Sequence, residues 1–141
     1  MQNQVHLLFV YGSLRSGFHH PAFEYMSRYF QFIGPAVVKG KLYDMGAFPV
    51  AKTTSEERFI QGELYSINEN NDFAYVMSQI DDYEGLHVED GEIPLYTRQI
   101  TTAFINDYSF TTWIYWFNKN VDGFPELATG DVLEYLLQKN K

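Results

Sequence analysis

Apolar residues recur at i, i+3, i+4 and i+7 in Phe73, Val76, Met77 and Ile80, the spacing of a helix that buries one face. Gly85 is suited to end that helix, and the polar stretch 68–72 offers N-cap candidates at its start. Near the N-terminus, Leu7-Leu8-Phe9-Val10-Tyr11 is a continuous apolar run broken by Gly12, which reads as a buried strand entering a tight turn. Pro21 suits the first turn of a helix whose buried stripe would be Phe23, Met26 and Phe30, with Gly34-Pro35 as its stop. Residues 36–43, 48–53 and 59–67 are strand-like runs separated by Gly, Pro, Ser and charge. An acidic loop is expected at 86–94. Residues 96–105 and 110–117 read as a β-hairpin joined through Asn106-Asp107-Tyr108-Ser109, and 127–137 as a last strand or a short helix. Strands outnumber helices and no regular βαβ alternation appears. The pattern predicts an α+β fold with a curled or closed mixed sheet. With no linker, repeat or low-complexity segment, residues 1–141 read as a single domain.

Composition narrows the function classes. The chain carries 11 Tyr and 12 Phe with an ordinary charged fraction, as expected of a globular domain with a sizeable core. A formal net charge of −8 argues against nucleic acid and against an anionic membrane surface, both of which call for clustered Lys and Arg. No window approaches the ~18 consecutive apolar residues of a membrane span. The absence of cysteine excludes disulfides, thiolate metal sites and a Cys nucleophile. Met1-Gln2-Asn3-Gln4 lacks the basic start of a signal peptide, so a cytoplasmic location is the default expectation.

Glu84 is the first candidate for chemistry. At roughly 100° per residue it returns to the face of Phe73 and Ile80, aiming a carboxylate at the core from a helix C-terminus. Burial, the helix dipole and the neighbouring Asp81 and Asp82 would all disfavour its charge, which suits a proton carrier near neutral pH. A solvated helix-end glutamate is the plainer alternative. The junction Tyr11-Gly12-Ser13-Leu14-Arg15 is the second candidate. A glycine directly after a buried strand lets several N–H groups converge on a carboxylate or a developing oxyanion; the alternative is a plain turn. Ser13 stands in no nucleophile elbow and is read as structural or hydrogen-bonding. His19 and His20 lack the spacing of a metal pair and are read as loop residues, so no metal or cofactor is expected. Tyr96 and Arg98 share one strand face. They either point inward, to orient a substrate or Glu84, or form an exposed pair. Tyr115, within an aromatic run, would need a partner for its hydroxyl if buried.

Together these residues resemble the γ-glutamylcyclotransferase and γ-glutamylamine cyclotransferase-like family. The resemblance runs through Tyr11-Gly12-Ser13-Leu14-Arg15, Gly40-Lys41-Leu42-Tyr43, Gly46-Ala47-Phe48-Pro49, Gly62-Glu63-Leu64-Tyr65, Ile80-Asp81-Asp82-Tyr83-Glu84-Gly85 and Tyr96-Thr97-Arg98. It covers about residues 7–135. Two stretches depart from the family pattern. Val132 stands after Gly130-Asp131 where many members carry an aromatic residue, and Phe18-His19-His20-Pro21 replaces a continuation that usually contains Asn.

The resemblance implies a small mixed β-barrel flanked by helices. It also implies a small-molecule γ-glutamyl substrate, whose α-amine attacks its own γ-carbonyl, expelling an amine and leaving 5-oxoproline. Glu84 then corresponds to the family's catalytic glutamate. Tyr11, Gly12, Ser13 and Leu14 would bind the substrate's carboxylate or carbonyl oxygen, with Arg98 and Tyr115 as further substrate-binding candidates. Such a reaction joins nucleophile and electrophile within one molecule, so it needs folding of the substrate and proton transfer but no metal or cofactor. Two other readings use the same residues: a non-catalytic small-molecule binding module, and an amide hydrolase in which Glu84 activates water. The leaving amine and the oligomeric state are not encoded in any of these motifs.

Overall fold

A computed structural model describes residues 5–12, 24, 27–45, 49–67, 73–84, 94, 96–127 and 129–139, with residues 83, 84, 133, 136, 138 and 139 described for backbone only. In chain order the elements are β1 (Leu7–Val10), β2 (Phe30–Lys39), β3 (Lys41–Asp44), β4 (Pro49–Lys52), β5 (Phe59–Ile67), α1 (Phe73–Glu84), β6 (Tyr96–Ile105), β7 (Tyr108–Phe117) and α2 (Val132–Lys139). Five strands close a mixed barrel in the order β1-β5-β2-β6-β7, while β3 and β4 form a separate two-stranded ribbon. Four of the barrel pairings are antiparallel. The seam that closes the barrel, β1 against β7, is parallel and is registered at Leu8 and Trp113. The α+β barrel flanked by helices matches the fold expected from the sequence.

Alternation along the strands separates two cores. Phe9 of β1, Ala36 and Val38 of β2, Ile60 and Leu64 of β5, Ala103 of β6, and Ile114 and Trp116 of β7 form one buried cluster. All five barrel strands contribute to it, so it is the barrel interior. Their sequence neighbours Leu8, Val10, Tyr65 and Tyr115 point outward, where Val76, Met77 and Ile80 of α1 cover them. The helical stripe read from the sequence therefore packs on the outside of the barrel. Gly62 makes room inside: a Cβ there would stand 2.3 Å from the Val10 carbonyl oxygen and 2.6 Å from Phe9 Cζ.

Three boundaries differ from the sequence reading. Phe30 does not belong to a helix: residues 27–29 are helical, but Phe30 opens β2, and Gly34-Pro35 lie inside that strand. The register against β5 shifts between Phe32 and Gly34, a bulge that accommodates a proline within a strand. Phe23 and Met26 lie outside the described residues. The run 36–43 is two strands, because the chain turns at Gly40, where a Cβ would meet Ile60 Cδ1 at 2.6 Å. The hairpin turn is shorter than expected, since Ile105 already pairs with Tyr108. Asn106 takes φ 54° there, a left-handed conformation that Asn tolerates better than most residues. The C-terminal segment is a helix, with Val132 buried against the barrel core. Among the described residues no helix is long and apolar enough to cross a membrane.

Candidate functional site

Two of the sequence motifs end at the same part of the molecule. Val10, the last residue of β1, and Ile80, in the last turns of α1, belong to one buried cluster on the outer face of the barrel. Tyr11 and Gly12 directly follow β1, and Glu84 is the last residue of α1. Ser13, Leu14 and the side chain of Glu84 lie outside the described residues, as do His19 and His20.

On the last turn of α1 stands a carboxylate expected from the sequence only to disfavour charge on Glu84. Asp81 is 6% exposed and, with Thr112, makes up the buried polar side chains among the described residues. Arg98 donates from Nε to Asp81 Oδ1 at 2.8 Å and from Nη2 to Oδ2 at 3.1 Å, a bidentate grip. The Tyr115 hydroxyl donates to Asp81 Oδ1 at 2.7 Å. Asp81 therefore has a cation against it.

Strand register explains the convergence. Arg98 of β6 pairs directly with Tyr115 of β7, so both side chains emerge on one face. Trp113 is two residues from Tyr115 on that face, and the Arg98 guanidinium lies 4.4 Å from its ring centroid. The face is the outer one under α1, where Tyr115, Trp113 and Tyr96 pack with the helix. Of the two alternatives drawn from the sequence, the exposed pair does not describe this face, which is covered by α1 on the outside of the barrel. A half-buried guanidinium stacked on an aromatic ring and paired with a carboxylate is satisfied on both counts.

Tyr11 joins the network from the other side of the barrel wall. Its ring packs against the interior cluster, and its hydroxyl donates to the Tyr115 main-chain carbonyl. A chain of hydrogen bonds therefore runs from Tyr11 through Tyr115 to Asp81 and Arg98. It links the residue before the Gly12 turn to the last turn of α1. Gly12 itself adopts no left-handed φ, and a Cβ built on it meets nothing within 4 Å among the described residues.

Glu63, within the motif at residues 62–65, lies beside the end of β1. It pairs with Val10 across β1 and β5, and it accepts a hydrogen bond from the Tyr65 hydroxyl at 2.8 Å. For Asp81 a signal was present in the sequence: it lies four residues after Met77 and eight after Phe73, on the buried stripe. Tyr11, Arg98 and Tyr115, all named from the sequence, are brought together here, with Asp81 at their centre.

The family described as gamma-glutamyl cyclotransferase, AIG2-like, matches residues 8–134. Among solved structures, the chain is similar to YkqA from Bacillus subtilis, with 25% identity and a TM-score of 0.70 over 98% of this chain and 44% of that one. It thus spans less than half the length of the Bacillus protein. An AIG2-like protein from Mus musculus is similar at 17% identity and a TM-score of 0.62, over 90% of this chain and 88% of that one. A gamma-glutamyl cyclotransferase is similar at 14% identity and a TM-score of 0.55, over 85% of this chain and 68% of that one. The last two likenesses concern the fold. No curated protein sequence matches the chain.

Proposed function

Since the chain belongs to the gamma-glutamyl cyclotransferase, AIG2-like family, an enzyme family of the cyclotransferase kind with small-molecule substrates, we propose that it releases 5-oxoproline from a γ-glutamyl amide. In this reading residues 1–141 form one catalytic domain. The substrate's α-amine attacks its own γ-carbonyl carbon, the C–N bond to the leaving amine breaks, and a lactam closes. Glu84, ionised, accepts a proton from the α-ammonium and then returns one to the departing amine. The main-chain N–H groups of Gly12, Ser13 and Leu14 hold the glutamyl carboxylate or the carbonyl oxygen as it gains charge. Nucleophile and electrophile share one molecule, so the protein's task is to fold the substrate and carry protons.

One observation carries this reading beyond family membership. The hydrogen-bond chain from Tyr11 to Asp81 ties the strand end preceding the Gly12 turn to the helix that ends in Glu84. A link between these two motifs, about half the sequence apart, supports a site that both would share.

The experiment is a panel of γ-glutamyl dipeptides and γ-glutamylamines incubated with the protein and analysed for 5-oxoproline. Turnover of at least one amide is expected, with Glu84→Gln folded and nearly inactive. Free glutamate in place of 5-oxoproline would indicate hydrolysis. Binding without turnover across the panel would indicate a binding module. Wild-type turnover by Glu84→Gln would remove the proposed proton carrier.

A further inference from the structure

We infer that Asp81 is a positioning residue that sets Glu84 relative to the Gly12 turn, and that Arg98 and Tyr115 act through Asp81 and make no contact with substrate. The inference rests on the cyclotransferase reading for its activity arm and on geometry alone for the rest.

Hydrophobic contact is non-directional, so Val76, Met77 and Ile80 hold α1 against the barrel without fixing its rotation or its axial height. Asp81 supplies that direction. Three hydrogen bonds from two different strands converge on its two oxygens. Glu84 follows three residues later, roughly 300° around the helix and about 4.5 Å along it. Within so short a stretch of helix, a carboxylate pinned at 81 also fixes the backbone at 84. Tyr115 is the pivot: its side chain holds Asp81, and its carbonyl accepts the hydroxyl of Tyr11, next to Gly12. Both halves of the proposed site are thus referred to one residue of β7.

Stability alone does not account for this arrangement. A buried ion pair is often no better than apolar side chains of similar volume. Here it interrupts an otherwise apolar stripe at a turn adjoining the proposed proton carrier. Catalytic groups need placement to within about 0.5 Å, and a displacement of about 1 Å can cost on the order of 100-fold in rate.

The test replaces the polar network by an apolar one of similar size, D81L/R98M/Y115F, beside the conservative single variant Y115F. The triple variant is expected to melt at or near the wild-type temperature, while kcat for 5-oxoproline release falls on the order of 10- to 100-fold. KM should stay within about threefold of wild type, because no substrate contact has been removed. Y115F should show the same split with a smaller loss. A wild-type kcat in the triple variant would overturn the inference. So would a raised KM with unchanged kcat, which would make Arg98 or Tyr115 a substrate contact. Should the wild-type protein release no 5-oxoproline from any amide, the cyclotransferase reading falls, and crystal structures of the two proteins still decide the geometry. A change of about 1 Å or more in the Cα separation of Gly12 and Glu84 would support positioning, and an unchanged separation would overturn it.

Discussion

The Arg98 guanidinium grips both oxygens of Asp81, at 2.8 and 3.1 Å, from a strand 17 residues further along the chain. This pair, with Tyr115 beside it, is the polar centre of an otherwise apolar interface between α1 and the outer barrel wall.

Breaking one side of the pair should be far costlier than trimming its edge. Arg98→Met leaves the buried Asp81 carboxylate without a cation and is expected to destabilise by about 3 kcal/mol. Tyr115→Phe removes one hydrogen bond and should cost about 1 kcal/mol. Urea titrations of the two variants check the ranking, and equal losses would refute it.

Two glycines should part company on substitution. In Gly62→Ala the new Cβ collides with the Val10 carbonyl at 2.3 Å, where backbone must move, so a loss of about 2–3 kcal/mol is expected. Gly12→Ala meets nothing within 4 Å among the described residues and has no left-handed φ to violate. Its stability should stay within about 0.5 kcal/mol of wild type. If the Gly12 amide belongs to the anion cradle, turnover should nonetheless fall, because a side chain then projects where substrate approaches. Thermal unfolding and a 5-oxoproline assay on the two variants separate these effects.

The hairpin turn depends on a left-handed residue. Asn106 at φ 54° should be replaceable by Gly with little change. Asn106→Val should cost roughly 1–2 kcal/mol, the strain of placing a β-branched residue there. Melting temperatures of both variants provide the check.

On the β3 side of the molecule, Lys41 pairs with Glu56 and with Glu126, and Arg58 also pairs with Glu126. The hydrogen bond from Lys41 holds the Glu56 carboxyl below its usual value of 4.5. The same bond, opposed by desolvation, raises the Lys41 ammonium above 10.5. The signs follow from linkage. Glu56 contributes stability above pH 4.5, which is lost as pH falls through its lowered value in the folded protein. Lys41 contributes below pH 10.5, and that is lost as pH rises through its raised value. Denaturant midpoints of wild type and Glu56→Gln should therefore differ at neutral pH and converge in acid. A difference that persisted at low pH would show that the pair is not responsible.

Local periodicity was enough to read much of this molecule. The stripe Phe73, Val76, Met77, Ile80 forms the helix it predicted, and the run 59–67 is β5 to the residue. These signals are short-range, because each element's own spacing records which of its faces is covered. The hairpin shows how one local error propagates. With a turn of four residues, Arg98 would oppose Phe117, and Tyr115 would oppose Ile100. The observed turn at Asn106 and Asp107 moves the register by two, which keeps every face and sets Arg98 beside Tyr115. Only 36–39 of the 30–39 strand is legible in the pattern, because Gly34-Pro35 resembles a helix stop, whereas the bulge that accommodates it depends on pairing with β5.

The sequence by itself determined most of the elements, the α+β class and, through the order of its motifs, the family, and it singled out Tyr11, Arg98 and Tyr115 as candidates. Tertiary structure alone decided what those residues do to one another. Tyr11 lies 104 positions from Tyr115, and Tyr115 lies 34 from Asp81. No periodicity spans such separations. Alternation along a strand distinguishes two faces, yet in a barrel with a helix on its wall both faces can be buried. Closing the sheet and laying α1 across it assigned Arg98 to the wall beneath the helix, and so made Asp81, expected from the sequence as a neighbour that disfavours charge on Glu84, the group that ties α1 to β6 and β7.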